Sequence, residues 1–380
     1  MNKNYYLMNK LSIISLLLIY LSLITDKLKY SLETNLIIIT AFLISLMILI
    51  YNRFKIIKSN IIFILPIYFS IYIGIISTIL GNDIEGIISI IKFFCFIFIA
   101  SRISTYLLGN IEKITLLSTY YLILVIIVII FLYGENLGRN FKGPFLNQNS
   151  LGMILSLGVY FSLLSIFINK NKLKIAISSF ALLISIPILL YTNSRTAILS
   201  PFVAIGTIIF FSLFTIKTLN IKKILLTFFC ISIIITALFL LQDILNETIL
   251  EKFNRKSNDL TSGRLDFIKA TIPYLNYLSS SKIPEHIVID NTLVAYAANF
   301  GIISLFFLIL IYISYPFIWI YVRNQLTYSQ SLFISSFYIY YVFYSLLESM
   351  RISPNTLIFF ASYFFLCYKS KNKNNETTKR

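Results

Sequence analysis

Charged residues are scarce in this chain of 380 residues: they make up 12% of it, whereas hydrophobic residues make up 58%. A soluble core could not bury that much apolar surface, so the composition excludes a soluble domain and indicates a membrane protein. The net charge of +17 is carried by short basic clusters between apolar runs and not by a soluble basic domain. We therefore expect no nucleic-acid partner.

Histidine and cysteine are also rare, which bears on metal sites and disulfides. The chain has one histidine, His286, and three cysteines, Cys95, Cys230 and Cys367, each within an apolar run. No Cys-x-x-Cys or Cys/His spacing occurs, so we expect neither a metal site nor a disulfide framework. We interpret the cysteines as packing or lipid-facing residues and His286 as an exposed loop residue.

Nucleotide-binding and common hydrolase motifs are missing as well. The chain contains no P-loop, no G-x-G-x-x-G, no G-x-S-x-G and no H-E-x-x-H. We therefore expect no bound cofactor and no ATP hydrolysis, and a donor substrate that is lipid-borne and already activated.

Twelve apolar segments are candidates for membrane-spanning helices, which need about 17 to 25 residues; the two shortest, 86–101 and 354–368, fall just below that length. In lipid a helix satisfies its own backbone polar groups, so the prediction is an all-α polytopic membrane protein with about 12 transmembrane helices. The predicted segments are 8–25, 35–51, 61–80, 86–101, 115–133, 150–168, 174–191, 197–216, 223–241, 291–320, 329–347 and 354–368.

The charges between these segments predict the orientation. The loops and termini on one side carry nineteen basic and two acidic residues, whereas the other side carries twelve basic and thirteen acidic residues. Short cytoplasmic loops are enriched in Lys and Arg, so both termini are predicted to be cytoplasmic. The predicted organisation is a nine-helix membrane domain (1–241), a long external loop (242–290), a three-helix membrane domain (291–368) and a disordered cytoplasmic tail (369–380).

The first outward-facing polar stretch, Arg139–Gly152, reads RNFKGPFLNQNSLG. Gly143 and the proline after it predict a turn, and Asn149 or Ser150 can cap a helix that begins near Leu151. A helix start offers free N–H groups to an anion. The alternative interpretation is an ordinary external turn.

The second outward-facing stretch, Thr192–Ala197, reads TNSRTA and places Arg195 near the start of an apolar helix. An arginine at membrane depth costs about 2.5 to 3.5 kcal/mol on insertion scales, so it usually has a partner or a function. The alternative is an interfacial arginine that reaches into the headgroups.

The long external loop contains the third stretch, Ser262-Gly263-Arg264, followed by an amphipathic segment in which Pro273 should bend or end the helix. Four apolar residues on one helical face predict a helix lying on the membrane surface: Leu265, Ile268, Ile272 and Leu275.

Asp290 stands at the mouth of the next apolar segment, directly before Asn291. A carboxylate there can cap the following helix, and it can equally serve as a general base near an acceptor hydroxyl.

In their order, these stretches resemble the bacterial O-antigen and capsule polymerases and the related O-antigen ligases. The matching residues are Arg139, Gly143, Phe145, Asn147 and Asn149, then Ser194-Arg195, then Ser262-Gly263-Arg264, then Asp290-Asn291 with Leu293 and Gly301. The resemblance implies a multi-helical fold similar to the GT-C glycosyltransferases, in the bacterial cytoplasmic membrane. It also implies an undecaprenyl-pyrophosphate-linked oligosaccharide as substrate and a chain-length regulator as a pathway partner.

O-antigen ligases typically have histidine where this chain has Asp290, so the resemblance favours a polymerase of lipopolysaccharide or capsule glycans. The expected catalytic residues are Asp290 as base with Arg264 and Arg195 as a clamp on the leaving pyrophosphate. The expected substrate-binding residues are Arg139, Lys142, Asn147, Asn149 and Asn291.

Two other functions remain as alternatives: an O-antigen ligase, and a polysaccharide flippase or transporter. A carrier usually places polar groups near the bilayer midplane. Here they collect on the outer face, with Lys92 as the main exception, so the enzyme is favoured.

The predicted orientation can be checked with reporter fusions. We expect alkaline phosphatase fused after Lys256, in the external loop, to be active, and green fluorescent protein fused after Arg380 to fluoresce. Fusions after Lys172 and Asp26 serve as matched controls for the cytoplasmic and external sides. An inactive phosphatase after Lys256 or a non-fluorescent fusion after Arg380 would contradict the orientation.

Overall fold

A computed structural model of the chain describes residues 10–15, 17–18, 31–51, 61–81, 84–134, 141–145, 148–214, 264–278, 291–348 and 354–377. Their regular structure is helical, which confirms the all-α prediction for these residues. The long helices are α1 (Ser31–Tyr51), α2 (Ile61–Leu80), α3 (Ile84–Gly109), α4 (Ile111–Tyr133), α5 (Gln148–Ile168), α6 (Lys172–Tyr191), α7 (Arg195–Phe214), α8 (Arg264–Thr271), α9 (Thr292–Phe300), α10 (Ile302–Val322), α11 (Tyr328–Leu347) and α12 (Pro354–Thr377). Single 3₁₀ turns follow α8 at Ile272–Tyr274 and α10 at Arg323–Gln325.

Within the described ranges, six helices are long and apolar enough to cross a membrane: α2, α3, α4, α5, α6 and α10. Their outward faces are also apolar, with Phe131 86%, Ile62 70% and Phe317 67% exposed. Such surfaces suit lipid and not water, so the chain is a helical membrane protein. The segment predicted at 223–241 lies outside the described residues, and the count of twelve stays a prediction.

The helices form two compact units, and the chain passes from one to the other between Gly109 and Asn110. Unit 1 contains α1 to α3 and α8 to α12, in which α12 packs along α3 and α2 packs along α10. Unit 2 contains α4 to α7, in which α5 packs against the other three helices.

Helix α5 is enclosed in unit 2, since every residue from Ser150 to Ile168 is buried. Lipid provides no hydrophobic drive for helices to associate, so close approach through small residues stabilises such a contact. At Gly158 an added Cβ would lie 2.6 Å from Leu122 Cδ1 and 2.9 Å from its Cβ, so the backbone of α5 touches α4 directly. Nearby, the Ser162 hydroxyl donates to Thr119 Oγ1 at 3.3 Å.

Aromatic side chains fill the contact among α10, α11 and α12 in unit 1. The Tyr315 ring stacks on Tyr338 and on Phe359, with centroids 4.7 and 5.2 Å apart. The Tyr315 hydroxyl donates to Ser362 Oγ at 2.7 Å, so this fully buried ring leaves no polar atom unpaired.

The single span predicted at 291–320 is two helices, α9 and α10, and the break falls at Gly301. Gly301 has a φ of 82°, and a Cβ there would lie 2.6 Å from the backbone oxygen of Tyr277. The carbonyls of Asn276 and Tyr277 accept the N–H groups of Ile302 and Ile303 at 3.0 and 3.2 Å. The break is therefore stable because another segment of the chain satisfies the first N–H groups of α10.

The segment after α8 differs partly from the predicted surface helix. The α-helix ends at Thr271, and Pro273 lies in the 3₁₀ turn that follows, so the predicted stop at this proline is confirmed. Ile268 and Leu275 are half-buried on either side of buried Thr271, whereas Ile272 is 56% exposed. The inward face therefore runs through Thr271 and not through Ile272. Leu265 lies outside the residues whose side chains are described.

Two helix ends also differ from the predicted boundaries. Helix α3 continues to Gly109 and only Asn110 separates it from α4, so Arg102 lies inside a helix and not in the predicted loop. Helix α12 continues to Thr377, although the sequence predicts disorder from residue 369; Ser370 is buried. In both places the apolar run ends before the helix does, because packing extends the helix beyond its apolar core.

The close approach at Gly158 gives a direct test. We expect Gly158→Ala to lower the free energy of unfolding by about 1 to 3 kcal/mol, since the new methyl group overlaps the Leu122 Cβ. Gly206→Ala in α7 is the matched control: no atom lies within 4 Å of its added Cβ, and helix propensity favours alanine by up to about 1 kcal/mol. Thermal or denaturant unfolding in detergent measures both. Equal behaviour of the two variants would contradict the packing of α4 on α5.

Candidate active site

Two of the predicted outward-facing stretches meet in unit 2. The Phe141 N–H donates to the Tyr191 carbonyl at 3.0 Å, which ties the first stretch to the end of α6. At Gly152 in α5, an added Cβ would lie 2.9 Å from Ala197 Cβ and 3.0 Å from Ser194 Cβ. Because Gly152 has no side chain, the second stretch can pack directly against the first.

The turn at 141–145 is anchored by two aromatic side chains. Phe141 and Phe145 are each 5% exposed, and the Phe145 N–H donates to the Lys142 carbonyl at 3.1 Å. Gly143 has a φ of 53°, a conformation that suits glycine, which agrees with the turn predicted there. The Lys142 side chain is exposed at the tip of this turn.

Helix α5 begins at Gln148, three residues earlier than predicted. Asn149 and Ser150 are therefore residues of the first turn of α5. Neither is the residue that the sequence predicted to precede the helix and cap it. Asn149 is half-buried and Ser150 is buried. Both stand at the positive end of the α5 dipole.

The tight turn between α6 and α7 holds Ser194 and Arg195. Asn193 adopts a left-handed φ of 55°, and its N–H donates to the Leu190 carbonyl at 2.9 Å. Ser194 is 2% exposed, and its hydroxyl makes no hydrogen bond with any described residue. Arg195 is half-buried and is the first residue of α7.

The starts of α5 and α7 thus lie side by side, and this pair of helix starts is the anion-attracting end of unit 2. Each start carries the positive end of a helix dipole, and Arg195 and Lys142 add two full positive charges. A cation at a helix N-terminus is electrostatically unfavourable by about 0.3 to 1 kcal/mol unless an anion is present. Glu112 is the one acid among the described residues of unit 2, and it lies at the start of α4, which runs antiparallel to α5.

In unit 1, Asn291 holds the N-cap of α9. Its side-chain oxygen accepts the N–H groups of Leu293 and Val294 at 2.8 and 3.1 Å, and its side-chain nitrogen donates to the Leu346 carbonyl. The cap proposed as one role for Asp290 is therefore supplied by its neighbour. The described contacts of Asn291 are structural, and substrate binding by it stays a prediction.

The next residue makes a second link between α9 and the end of α11. The Thr292 hydroxyl donates to the Glu348 carbonyl at 2.7 Å. Glu348 is 9% exposed, which is unusual for a carboxylate. The sequence analysis does not predict a role for Glu348. The available signal was an acidic residue directly after twenty mostly apolar residues and three residues before Arg351.

Further contacts fix α9 within unit 1. The Tyr296 hydroxyl shares a 2.5 Å hydrogen bond with Ser70 of α2, and the Ser304 hydroxyl donates to the Ser70 carbonyl at 3.0 Å. The Tyr296 ring also packs edge-on against Phe93 and Phe300. Helix α9 is therefore held rigidly at its start, its middle and its end.

Several predicted site residues lie outside the described residues: Arg139, Asn147, Ser262, Gly263 and Asp290. Arg264 opens α8, but its side chain is not among those described. That Arg139, Lys142, Arg195 and Arg264 converge on one pyrophosphate, with Asp290 as the base, therefore stays a prediction. Within the described ranges, no group of three His, Cys, Asp or Glu side chains could hold a metal ion.

Compared with known protein families and with curated proteins, the chain matches none.

The cap at Asn291 can be tested with two substitutions. We expect Asn291→Ala to lower the free energy of unfolding by about 1 to 2 kcal/mol, because it removes both the cap and the link to α11. Asn291→Asp keeps a capping oxygen and loses only the donor to Leu346, so its loss should be smaller. Thermal unfolding in detergent ranks the three proteins; an Asp variant as unstable as the Ala variant would contradict capping as the main contribution.

Proposed function

We propose that this protein is a polysaccharide polymerase at the outer face of the bacterial cytoplasmic membrane. It transfers a growing glycan from undecaprenyl pyrophosphate onto a new lipid-linked repeat unit. An acceptor hydroxyl oxygen forms the new bond to the anomeric carbon, the bond from that carbon to the pyrophosphate breaks, and the pyrophosphate leaves with the bonding electron pair. The acceptor proton passes to a base on the enzyme.

The observation that carries this proposal is the anion-attracting end of unit 2. Two stretches about forty residues apart meet there, and they place two helix starts, Arg195 and the Lys142 turn at one end of the unit. A leaving pyrophosphate needs such a concentration of positive potential, because its negative charge increases as the glycosyl bond breaks. A guanidinium group adds paired, directional hydrogen bonds to phosphate oxygens.

Arg264 is the second arginine that we assign to this chemistry. Like Arg195, it is the first residue of its helix, a position at which acidic residues are electrostatically favoured. Two arginines at such positions are consistent with binding of an anionic ligand. We assign both to the clamp on the pyrophosphate, with Arg139, Lys142, Asn147 and Asn149 binding the remainder of the donor.

Asp290 is assigned as the base. Asn291 already caps α9, so capping does not explain a carboxylate at the preceding residue. The order Asp290-Asn291 also favours the polymerase over the ligase, in which histidine is typical at the first position. The proposal also includes a GT-C-like fold, twelve membrane-spanning helices and a chain-length regulator as partner.

The experiment is complementation of a deletion strain, with surface glycans and lipid-linked intermediates resolved by size. Arg195→Ala should reduce long polymer by about 100-fold or more and leave single repeat units, because the leaving group loses a charge-assisted contact. Arg195→Lys keeps a point charge without the paired donors, so we expect an intermediate yield. Arg323→Ala is the matched control, since Arg323 is exposed in the 3₁₀ turn after α10.

The same assay separates the competing functions. Asp290→Ala and Asp290→Asn should both leave single units, whereas Asp290→Glu should retain part of the activity. Normal polymer in Arg195→Ala, at equal protein level, would contradict the clamp. Polymer that accumulates on its carrier in the deletion strain would indicate the ligase, and single units trapped on the cytoplasmic face would indicate the flippase.

A further inference from the structure

Unit 1 contains a cavity of about 200 Å³ among α2, α3 and α12. Most of its wall is formed by isoleucine and phenylalanine side chains, including Ile67, Ile71, Ile97 and Phe364, and the rest by tyrosine, serine and arginine. A cavity of this size has room for several water molecules or for part of an acyl chain.

Among the described residues on the cavity wall, Arg102 is the one with a charged side chain. Its Cζ lies 5.3 Å from the centroid of the Phe98 ring, and its Nε is buried without a hydrogen-bond acceptor among the described residues. The hydroxyls of Ser101 and Ser104 donate to the carbonyls of Phe98 and Ser101. A guanidinium N–H that is buried without an acceptor is unfavourable, so the cavity favours a ligand that supplies an acceptor for the half-buried Arg102 side chain.

Part of the cavity wall is exposed: Tyr68 of α2 is 63% and Phe94 of α3 is 44% exposed. Both helices are long and apolar enough to cross a membrane, and apolar side chains this exposed on such helices suit contact with lipid. Arg102 lies in the half of α3 nearer Gly109, the end that the charge distribution assigns to the cytoplasm.

We propose that this cavity binds one anionic phospholipid of the surrounding bilayer. Its acyl chain occupies the apolar part of the cavity, and its phosphate accepts hydrogen bonds from the Arg102 guanidinium. Basic pockets between membrane helices on the cytoplasmic side suit anionic headgroups, because the guanidinium donors match phosphate oxygens. This site does not rest on the proposed glycan transfer.

The test measures which lipids stay bound to the purified protein, by native mass spectrometry after incubation with equal amounts of phosphatidylglycerol and phosphatidylcholine. Wild-type protein should retain one phosphatidylglycerol preferentially. Arg102→Gln should lower this preference roughly tenfold, the effect expected for one charge-assisted hydrogen bond. Arg323→Gln, which removes an exposed arginine from the same unit, should leave the preference unchanged.

A second arm does not depend on the folding of the Arg102 variant. Tyr68→Trp places a reporter at the exposed mouth of the cavity, with the unsubstituted protein giving the background from Trp319. Brominated phosphatidylglycerol should quench this reporter more than brominated phosphatidylcholine at the same mole fraction. Equal quenching, or equal losses in Arg102→Gln and Arg323→Gln, would overturn the proposal. Preferential retention of a polyprenyl phosphate over phosphatidylglycerol would also overturn the assignment to a bilayer phospholipid.

Discussion

The architecture depends on one constraint: in hydrocarbon, each backbone N–H and C=O must find its partner within the protein. The described helices meet it internally. At Gly301, where the helix is broken, the carbonyls of Asn276 and Tyr277 take over the bonds that a continuous helix would have made. The segment after α8 and the start of α10 are therefore one structural element, although they are more than twenty residues apart in the chain.

Close contact between helix backbones is the second determinant of the architecture, because in lipid apolar side chains alone do not drive helices to associate. Gly158 brings α5 against α4, and Gly152 brings the start of α5 against the start of α7. The second contact underlies the proposed function. It turns two separate polar stretches into one end of unit 2 at which two helix dipoles and two basic residues add their positive potential.

The pattern of charges separates two kinds of arginine in this chain. Arg195 and Arg264 open helices, where a positive charge is unfavourable unless an anion is bound. Arg102 lies inside a helix beside a mostly apolar cavity, and its buried Nε has no acceptor among the described residues. The first kind is assigned to the pyrophosphate clamp of the proposed glycan transfer, and the second to the proposed phospholipid site.

The sequence by itself determined the helical membrane class, because apolar segments of spanning length leave a backbone in lipid few other solutions. It also located the turn at Gly143 and the helix stop at Pro273, since both follow from the φ preferences of single residues. It did not reveal that Asn291 supplies the cap, that Gly301 breaks a span, or that Arg102 lies inside a helix. Those features depend on contacts between residues far apart in the chain. Asn291 contacts Leu346, Gly301 lies against Tyr277, and Arg102 lines a cavity among three helices. Only the tertiary structure brings such residues together.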